Sequence, residues 1–307
     1  ALLSNQYGVL YVNHDGLIMD GISMFLFFDA LSRCYNGLSL AKEQLVFRHY
    51  VDALLKDRNG PAYERSKAYW LARLHDLPLA PRLPMPSGPA IHFDSRFTQR
   101  SITLDPRQWG ALKEQCQEQG LTPSAALLFA WSQVLAQWGA GDRFTLNVTV
   151  ANRRPIHPAA YTAIGPFSDP MLVEVDLNGS LPLAQVARTL QARLHADLDH
   201  RHFSGIEVMQ ELARQAGGHS AASMPFTLNS TVGALGGVDG TALEALGNEV
   251  FSVSQTAQVL LDVFVMEQSG NLKIRLDAVE SRFHPGMLDA MAQGYAAALE
   301  QLASKST

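Results

Sequence analysis

Tyr11-Val12-Asn13-His14-Asp15-Gly16-Leu17-Ile18-Met19-Asp20-Gly21-Ile22-Ser23 is the stretch that decides the fold, because two apolar periodicities meet across it. Upstream, the run Tyr7 to Val12 reads as a buried strand; downstream, Met24, Phe25, Phe28 and Leu31 recur at helical spacing. Asp15 and Asp20 therefore fall on a strand-to-helix turn, where Gly16 and Gly21 allow close or left-handed backbone. Carboxylates at the mouth of such a turn orient a substrate amine or fix the turn itself. Asp near a helix start commonly caps backbone amides, which favours a structural role for at least one of the two.

The spacing Asp15, Asp20, Ser23 resembles the D-x-x-x-x-D-x-x-S pattern of heterocyclization domains of nonribosomal peptide synthetases. There it replaces the H-H-x-x-x-D-G pattern of ordinary condensation domains, whose two histidine positions are Asp15 and Gly16 here. Further stretches extend the resemblance over the whole chain. Phe144-Thr145-Leu146-Asn147-Val148-Thr149 followed by Asn152-Arg153-Arg154-Pro155-Ile156-His157-Pro158 is similar to the family's F-T-L-N-x-T and N-R-x-P-x-H-P. On residues alone this is a strand running into a proline-bounded loop, with Asn147 and Asn152 supplying amide groups near the strand end. Ser254-Gln255-Thr256-Ala257-Gln258-Val259-Leu260-Leu261-Asp262 resembles S-Q-T-P-Q-V-x-L-D, and Pro225-Phe226-Thr227-Leu228-Asn229-Ser230 resembles P-V-V-F-T-S.

The resemblance ties the Thr of that last motif and the Asp ending the one before it to cyclodehydration. The Asp is Asp262; the Thr falls on Asn229 without a gap, or on Thr227 if the register slips by two. Positions 227 and 229 share one face of a strand, so either side chain reaches the same place. Ring closure needs such a pair: a thiol or hydroxyl must lose a proton, and a hemiaminal oxygen must gain one to leave as water. A carboxyl whose pKa is raised by burial can do both in sequence. Three departures stand out. Gly165-Pro166-Phe167-Ser168-Asp169 replaces G-D-F-T-S, Phe264 stands for a glutamine, and Ala257 for a proline.

Composition gives enough apolar residues for a large core and one or two domains. The chain has 307 residues, 47% hydrophobic and 17% charged, with a net charge of −5 and no run of Lys or Arg, so no nucleic-acid partner is expected. No apolar stretch approaches membrane-spanning length and no secretory signal is visible, so the expectation is a soluble cytoplasmic protein without a membrane partner. Cys34 and Cys116 form no C-x-x-C pattern and read as reduced, buried residues. His195, His200 and His202 do not make a metal site: the first two face roughly 140° apart on a helix, and no cysteine joins them. A solvated helix end with local salt bridges is the better reading, and no metal is expected.

Periodicity and breakers predict helices over 22–35, 40–56 and 61–76, then a stiff connector with five prolines between Pro78 and Pro89. A strand over 97–104 precedes two helices opened by Asp105-Pro106 and Thr122-Pro123, the second running through Trp138. Strands over 144–150 and 171–175, helices over 182–200 and from Gly205, strands over 224–232, 250–254, 257–266 and 271–278, and a helix after Pro285 complete the order. The expected class is α/β, with mixed sheets covered by helices.

The resemblance implies a chloramphenicol-acetyltransferase-like, two-lobed, V-shaped fold. Residues 1–77 would be the rear of the N-terminal lobe, 78–92 the proline-rich connector and 93–307 the C-terminal lobe, with the active site in a tunnel between lobes. Family domains carry further strands and a helix before this point, so Ala1 reads as a cut rather than a native start. The implied reaction joins an upstream acyl or peptidyl thioester to carrier-bound Cys, Ser or Thr, then cyclodehydrates the product to a thiazoline or oxazoline, as in siderophore biosynthesis. The implied partners are upstream and downstream peptidyl or aryl carrier domains and an adjacent adenylation domain. Phosphopantetheine would be carried by those partners, with no cofactor in the domain itself. Site residues would be Asp262 with Thr227 or Asn229, and Asp15, Asp20, Ser23, Asn147, Asn152, Thr256 and Gln258 around the turn and tunnel. Pro166, Asn229 and Phe264 leave open a condensation-only domain. A non-catalytic carrier-docking lobe is opposed by Asp15, Asp20 and Asp262, which it would not need.

Overall fold

A computed structural model of the chain describes residues 8–40, 42, 45–86, 96–179, 181–218, 222–233 and 246–304. In chain order the helices are α1 (Gly21–Tyr35), α2 (Phe47–Asp57), α3 (Pro61–Arg73), α4 (Pro106–Glu118), α5 (Pro123–Leu135), α6 (Leu183–Asp199), α7 (Gly205–Gln215) and α8 (Met287–Ala303). The strands are β1 (Phe97–Leu104), β2 (Arg143–Ala151), β3 (Ser168–Asp176), β4 (Phe226–Ser230), β5 (Leu261–Gln268) and β6 (Asn271–Val279). They form one six-stranded sheet in the order β1-β6-β5-β4-β2-β3. β4 runs parallel to both β2 and β5, and the other pairs are antiparallel. The sheet is mixed and helix-covered, as the pattern predicts.

Local chemistry explains the helix starts. Asp20 accepts from the Ser23 N–H at 2.8 Å, Asp105 and Gln108 form a reciprocal capping box, and Thr122 accepts from the Ala125 N–H. Proline at the first position of α3, α4 and α5 is pre-set for helix. The Ser269-Gly270 turn, with both residues at positive φ, joins β5 to β6 and thereby fixes the register of that hairpin.

The two faces of the sheet differ. Phe144, Leu146, Val148, Phe226, Leu228, Leu261, Val263, Val265, Ile274 and Leu276 point to one side, where α4, α5, α6 and α8 cover them in a single large core. The other face is polar in its centre. There α3 docks near the β3 edge through Arg73, which reaches Glu174 and the buried Asp197, while Trp70 donates to the His200 carbonyl. Trp70 and Leu74, with Leu83 from the following segment, belong to the large core. A second, smaller core of Leu45, Tyr50, Ala159, Ala160, Ala163 and Phe167 fixes α2 against the 158–167 loop.

Several expectations are corrected. Among Gly8 to Val12 there is an isolated bridge rather than a strand, and Leu10, Tyr11 and Val12 are exposed; Tyr7 lies outside the described residues. Apolar composition alone does not bury a segment. α2 begins at Phe47, after Leu45 has turned into the smaller core, and α3 ends at Arg73. The helix expected to reach Trp138 passes into a π-helical turn, Ala136–Ala140, where Gly139 adopts φ +94°. No strand forms over 250–254, because side chains take its backbone groups: Gln99 donates to the Ser252 carbonyl and Asp277 accepts from the Ser254 N–H. β5 begins at Leu261 rather than 257. Cys34 is exposed on α1, whereas Cys116 is buried and its thiol pKa is pushed up to about 11 by desolvation.

Candidate active site

Strand register places five polar side chains in a line across the polar face: Asn147 beside Thr227, Thr227 beside Asp262, Asp262 beside Asp277, and Asp277 beside Gln99. They come from β2, β4, β5, β6 and β1, and each points the same way because register partners share a face. The next line along contains Thr149, Asn229, Phe264, Arg275 and Ser101.

Asp262 is the centre of the line and is 2% exposed. Its Oδ1 accepts from the Thr227 hydroxyl at 2.7 Å and from the Asn229 amide. The two candidate partners of Asp262 are therefore both partners. Burial raises the Asp262 pKa, hydrogen bonds from Thr227, Ser254 and Asn229 oppose that, and the charge of Asp277 adds to it. A carboxyl so placed can hold a proton nearer neutrality than an exposed one, and can give and recover it during a reaction. Asn147 presents a buried Oδ1 with no hydrogen-bond partner among the described residues.

Asp277 is the residue that sequence reading misses. It accepts from the Ser254 N–H at 2.7 Å, Arg275 Nε at 3.0 Å and Gln99 Nε2 at 3.2 Å. The signal was present: once the Ser269-Gly270 turn is set, counting outward along the hairpin brings position 277 opposite 262.

The turn motif is a second, separate constellation. Besides capping α1, Asp20 pairs with Arg153 at 3.0 Å, each side chain only 3% exposed, and accepts from the Ser168 hydroxyl at 3.2 Å. Ser23 Oγ donates to the Gly165 carbonyl at 2.8 Å and accepts from the Gly165 N–H at 3.0 Å, while Arg153 donates to Ser23 Oγ at 2.7 Å. Arg153 also donates to the carbonyls of Ala160 and Ala163 and lies over the Phe167 ring. The start of α1 is thus fastened to the loop after β2. It also overlies the sheet: a Cβ on Gly21 would meet Thr231 and Phe264 at 3.9 and 4.0 Å. Phe264 thus lies beside the start of α1, with the Arg275 guanidinium over its ring at 5.3 Å.

The remaining expected residues distribute as follows. Asp15 is exposed and accepts only locally, from the Leu17 N–H at 2.9 Å. Thr256 and Gln258 are exposed in the turn before β5, Gln258 at φ +67°, and are not among the hydrogen-bond partners of Asp262. Asn152 donates to Asp169 at 2.6 Å, so Asp169 is committed to the loop after β2 rather than to Asp262. Pro166 costs no contact at the turn, because Gly165 supplies both backbone groups that Ser23 uses. His200 stacks on Tyr69, His202 contacts Asp57 and Arg154, and His195 is exposed. Among the described residues no three metal-ligating side chains converge.

The family model described as Condensation domain matches residues 2–307. The chain is 33% identical over 297 residues to pyochelin synthetase PchF of Pseudomonas aeruginosa, covering 96% of this chain and 16% of that protein. It is 32% identical over 295 residues to phenyloxazoline synthase MbtB of a Mycobacterium species, covering 96% and 25%. This chain therefore spans a small part of the length of those relatives. Among solved structures, the cyclization-docking bidomain of the EpoB nonribosomal peptide synthetase from Sorangium cellulosum superposes with a TM-score of 0.85 at 36% identity, over 94% of this chain and 59% of that one. The epimerization domain from the third module of tyrocidine synthetase B superposes with a TM-score of 0.71 at 18% identity, a likeness of fold alone.

Proposed function

Because the chain belongs to the condensation-domain family, we propose that it is a heterocyclization domain of a nonribosomal peptide synthetase, with Asp262 as its acid–base residue. The observation that carries the reading is Asp262 itself, buried and hydrogen-bonded to both Thr227 and Asn229 in the middle of a polar line. Similarity to pyochelin synthetase, phenyloxazoline synthase and the EpoB cyclization domain supports the same reaction.

In this reaction the amine of a carrier-bound Cys, Ser or Thr first displaces the upstream thioester to form an amide. Holding two tethered substrates together supplies most of that step. The Cys thiol, or the Ser or Thr hydroxyl, then attacks the new carbonyl carbon while its proton passes to the carbonyl oxygen, leaving a ring carbon that bears a hydroxyl. Asp262 protonates that hydroxyl, water departs, and the nitrogen proton passes to the Asp262 carboxylate as the C=N bond forms. Thr227 and Asn229 hold Asp262 in place through its Oδ1 while the carboxyl exchanges protons.

The substrates would arrive as phosphopantetheine thioesters on upstream and downstream carrier domains, next to an adenylation domain, in the cytoplasm. No helix among the described residues is long and apolar enough to cross a membrane. The proposed division is 1–77 in one lobe, 78–92 as connector and 93–307 in the other, with α3 as the fastening between lobes. The test is mass spectrometry of product on the downstream carrier. Wild-type protein should yield a species lighter than the linear amide by one water, and Asp262→Asn only the linear amide. Cyclised product in normal proportion from Asp262→Asn would refute the assignment.

A further inference from the structure

We propose that Asp277 is a positioning residue for ring closure: anchored by Arg275, Gln99 and Ser254, it faces Asp262 from the neighbouring strand and keeps that carboxyl able to hold a proton. This rests on reading Asp262 as the acid–base residue.

The geometry is that of two buried carboxyl groups given unequal partners. Asp262 and Asp277 are direct register partners on the β5–β6 hairpin, with exposures of 2% and 0%. Like charges directly opposite on antiparallel strands repel, and two carboxylates sharing a buried place do not both ionise freely. Asp277 is met by a guanidinium at 3.0 Å, a backbone N–H at 2.7 Å and an amide at 3.2 Å, all of which donate. Asp262 is met by hydroxyl and amide groups, and by no cation among the described residues. Asp277 is therefore the better compensated of the two for negative charge, and Asp262 the better placed to hold a proton, the division of labour that carboxyls in unequal surroundings produce.

The charged groups around Asp262 can be named element by element. β6 contributes Asp277 and, through it, Arg275; the segment before β5 contributes Glu249, 3.8 Å from Arg275. β4 and β1 contribute only the neutral Thr227, Asn229 and Gln99. The start of α1 contributes Asp20, whose charge is taken by Arg153. Asp277 is the one of these that acts on Asp262 directly through its charge.

Two substitutions should act in opposite directions. Asp277→Asn removes the facing charge, so Asp262 should ionise at lower pH. The alkaline limb of the ring-closure profile should move down, and the rate at neutral pH should fall on the order of tenfold, a part of the roughly 10²–10⁴ that a positioned acid–base group supplies. Arg275→Gln leaves Asp277 uncompensated, so the same limb should move up. Arg275 lies at the edge of the buried set, with 17% of its side chain exposed, and serves if Asp277→Asn folds poorly.

The linear-amide rate, measured in parallel, should show neither shift. A direct readout is the carboxyl ¹³C titration of Asp262 in the whole domain, assigned with Asp262→Asn, which needs no substrate and no ring formation. Opposite displacements of this titration in the two variants are expected. Unchanged titrations, or equal losses of both steps without a displaced profile, would overturn the proposal. Wild-type protein making only linear amide would instead overturn the reading of the site, whatever the titrations show.

Discussion

Asp20 and Arg153, 133 residues apart in sequence, form a buried ion pair at 3.0 Å that joins the start of α1 to the loop after β2. The same carboxylate caps the helix. One residue of the turn motif thus fastens two parts of the chain, while Asp15, five positions earlier, shapes only its own turn.

Removing half of that pair leaves a buried charge uncompensated. Asp20→Ala and Arg153→Ala should each destabilise by about 3–5 kcal/mol, well beyond the ~1 kcal/mol of a lost cap. Their effects should be strongly non-additive in a double-mutant cycle. Asp15→Ala should stay within about 0.5 kcal/mol of wild type, as an exposed substitution does. Urea denaturation of wild type, the two single variants, their double variant and Asp15→Ala checks all of this.

Asp262→Asn should stabilise the domain at neutral pH while abolishing ring closure. Burial raises the folded pKa of Asp262 above its unfolded value, so the folded state binds the proton more tightly. Its contribution is fully present below the ordinary Asp range and is lost as pH rises through the folded pKa. The advantage of the uncharged Asn should therefore be absent in acid and grow toward neutrality. Melting curves of both proteins across pH 4 to about 8 measure the difference. A constant offset at all pH would contradict the cause.

Glycine is required at two contacts for reasons of space. A Cβ at Gly205 would lie 2.1 Å from the Pro170 carbonyl oxygen, which is backbone and cannot yield. Gly205→Ala should cost about 1–3 kcal/mol or more through a displaced α7. At Gly165 the Cβ would strike the Phe47 ring at 2.4 Å. Gly165→Ala should loosen the smaller core, seen as faster amide exchange in α2.

The two cysteines should react very unevenly. Cys34 is exposed, and Cys116 is buried with its thiol pKa pushed up to about 11. Iodoacetamide at pH 8 should alkylate Cys34 within minutes and reach Cys116 only in denaturant, as peptide mass spectrometry would report.

Legibility in the sequence followed locality. Helices opened by Asp105-Pro106 and Thr122-Pro123 were readable because cap and helix lie within one turn of chain. Phe97–Leu104 was readable because alternation survives where one face is packed. Residues 250–254 misled because their backbone groups are taken by Gln99 and Asp277, which no local pattern can announce. Leu10–Val12 misled because an apolar run does not state whether a neighbour exists to cover it. At the site, Asp262 and both its partners were reachable through motif and strand alternation. Arg153 was visible within its motif, but its partnership with Asp20 is a tertiary fact. Thr256 and Gln258 belong to the same motif as Asp262, and only the turn geometry separates them from it.

The transverse line of Asn147, Thr227, Asp262, Asp277 and Gln99 has a consequence for exchanging parts between synthetases. Its members are drawn from across the stretch between Phe97 and Val279. A chimaera joined inside that stretch takes some of the line from one parent and the rest from the other. It would inherit well-formed strands from both, yet hydrogen-bond partners matched by neither. Breakpoints in the segment before β1 or in the 280–286 turn carry the whole line from a single parent. Crossovers there should retain ring closure where internal ones lose it.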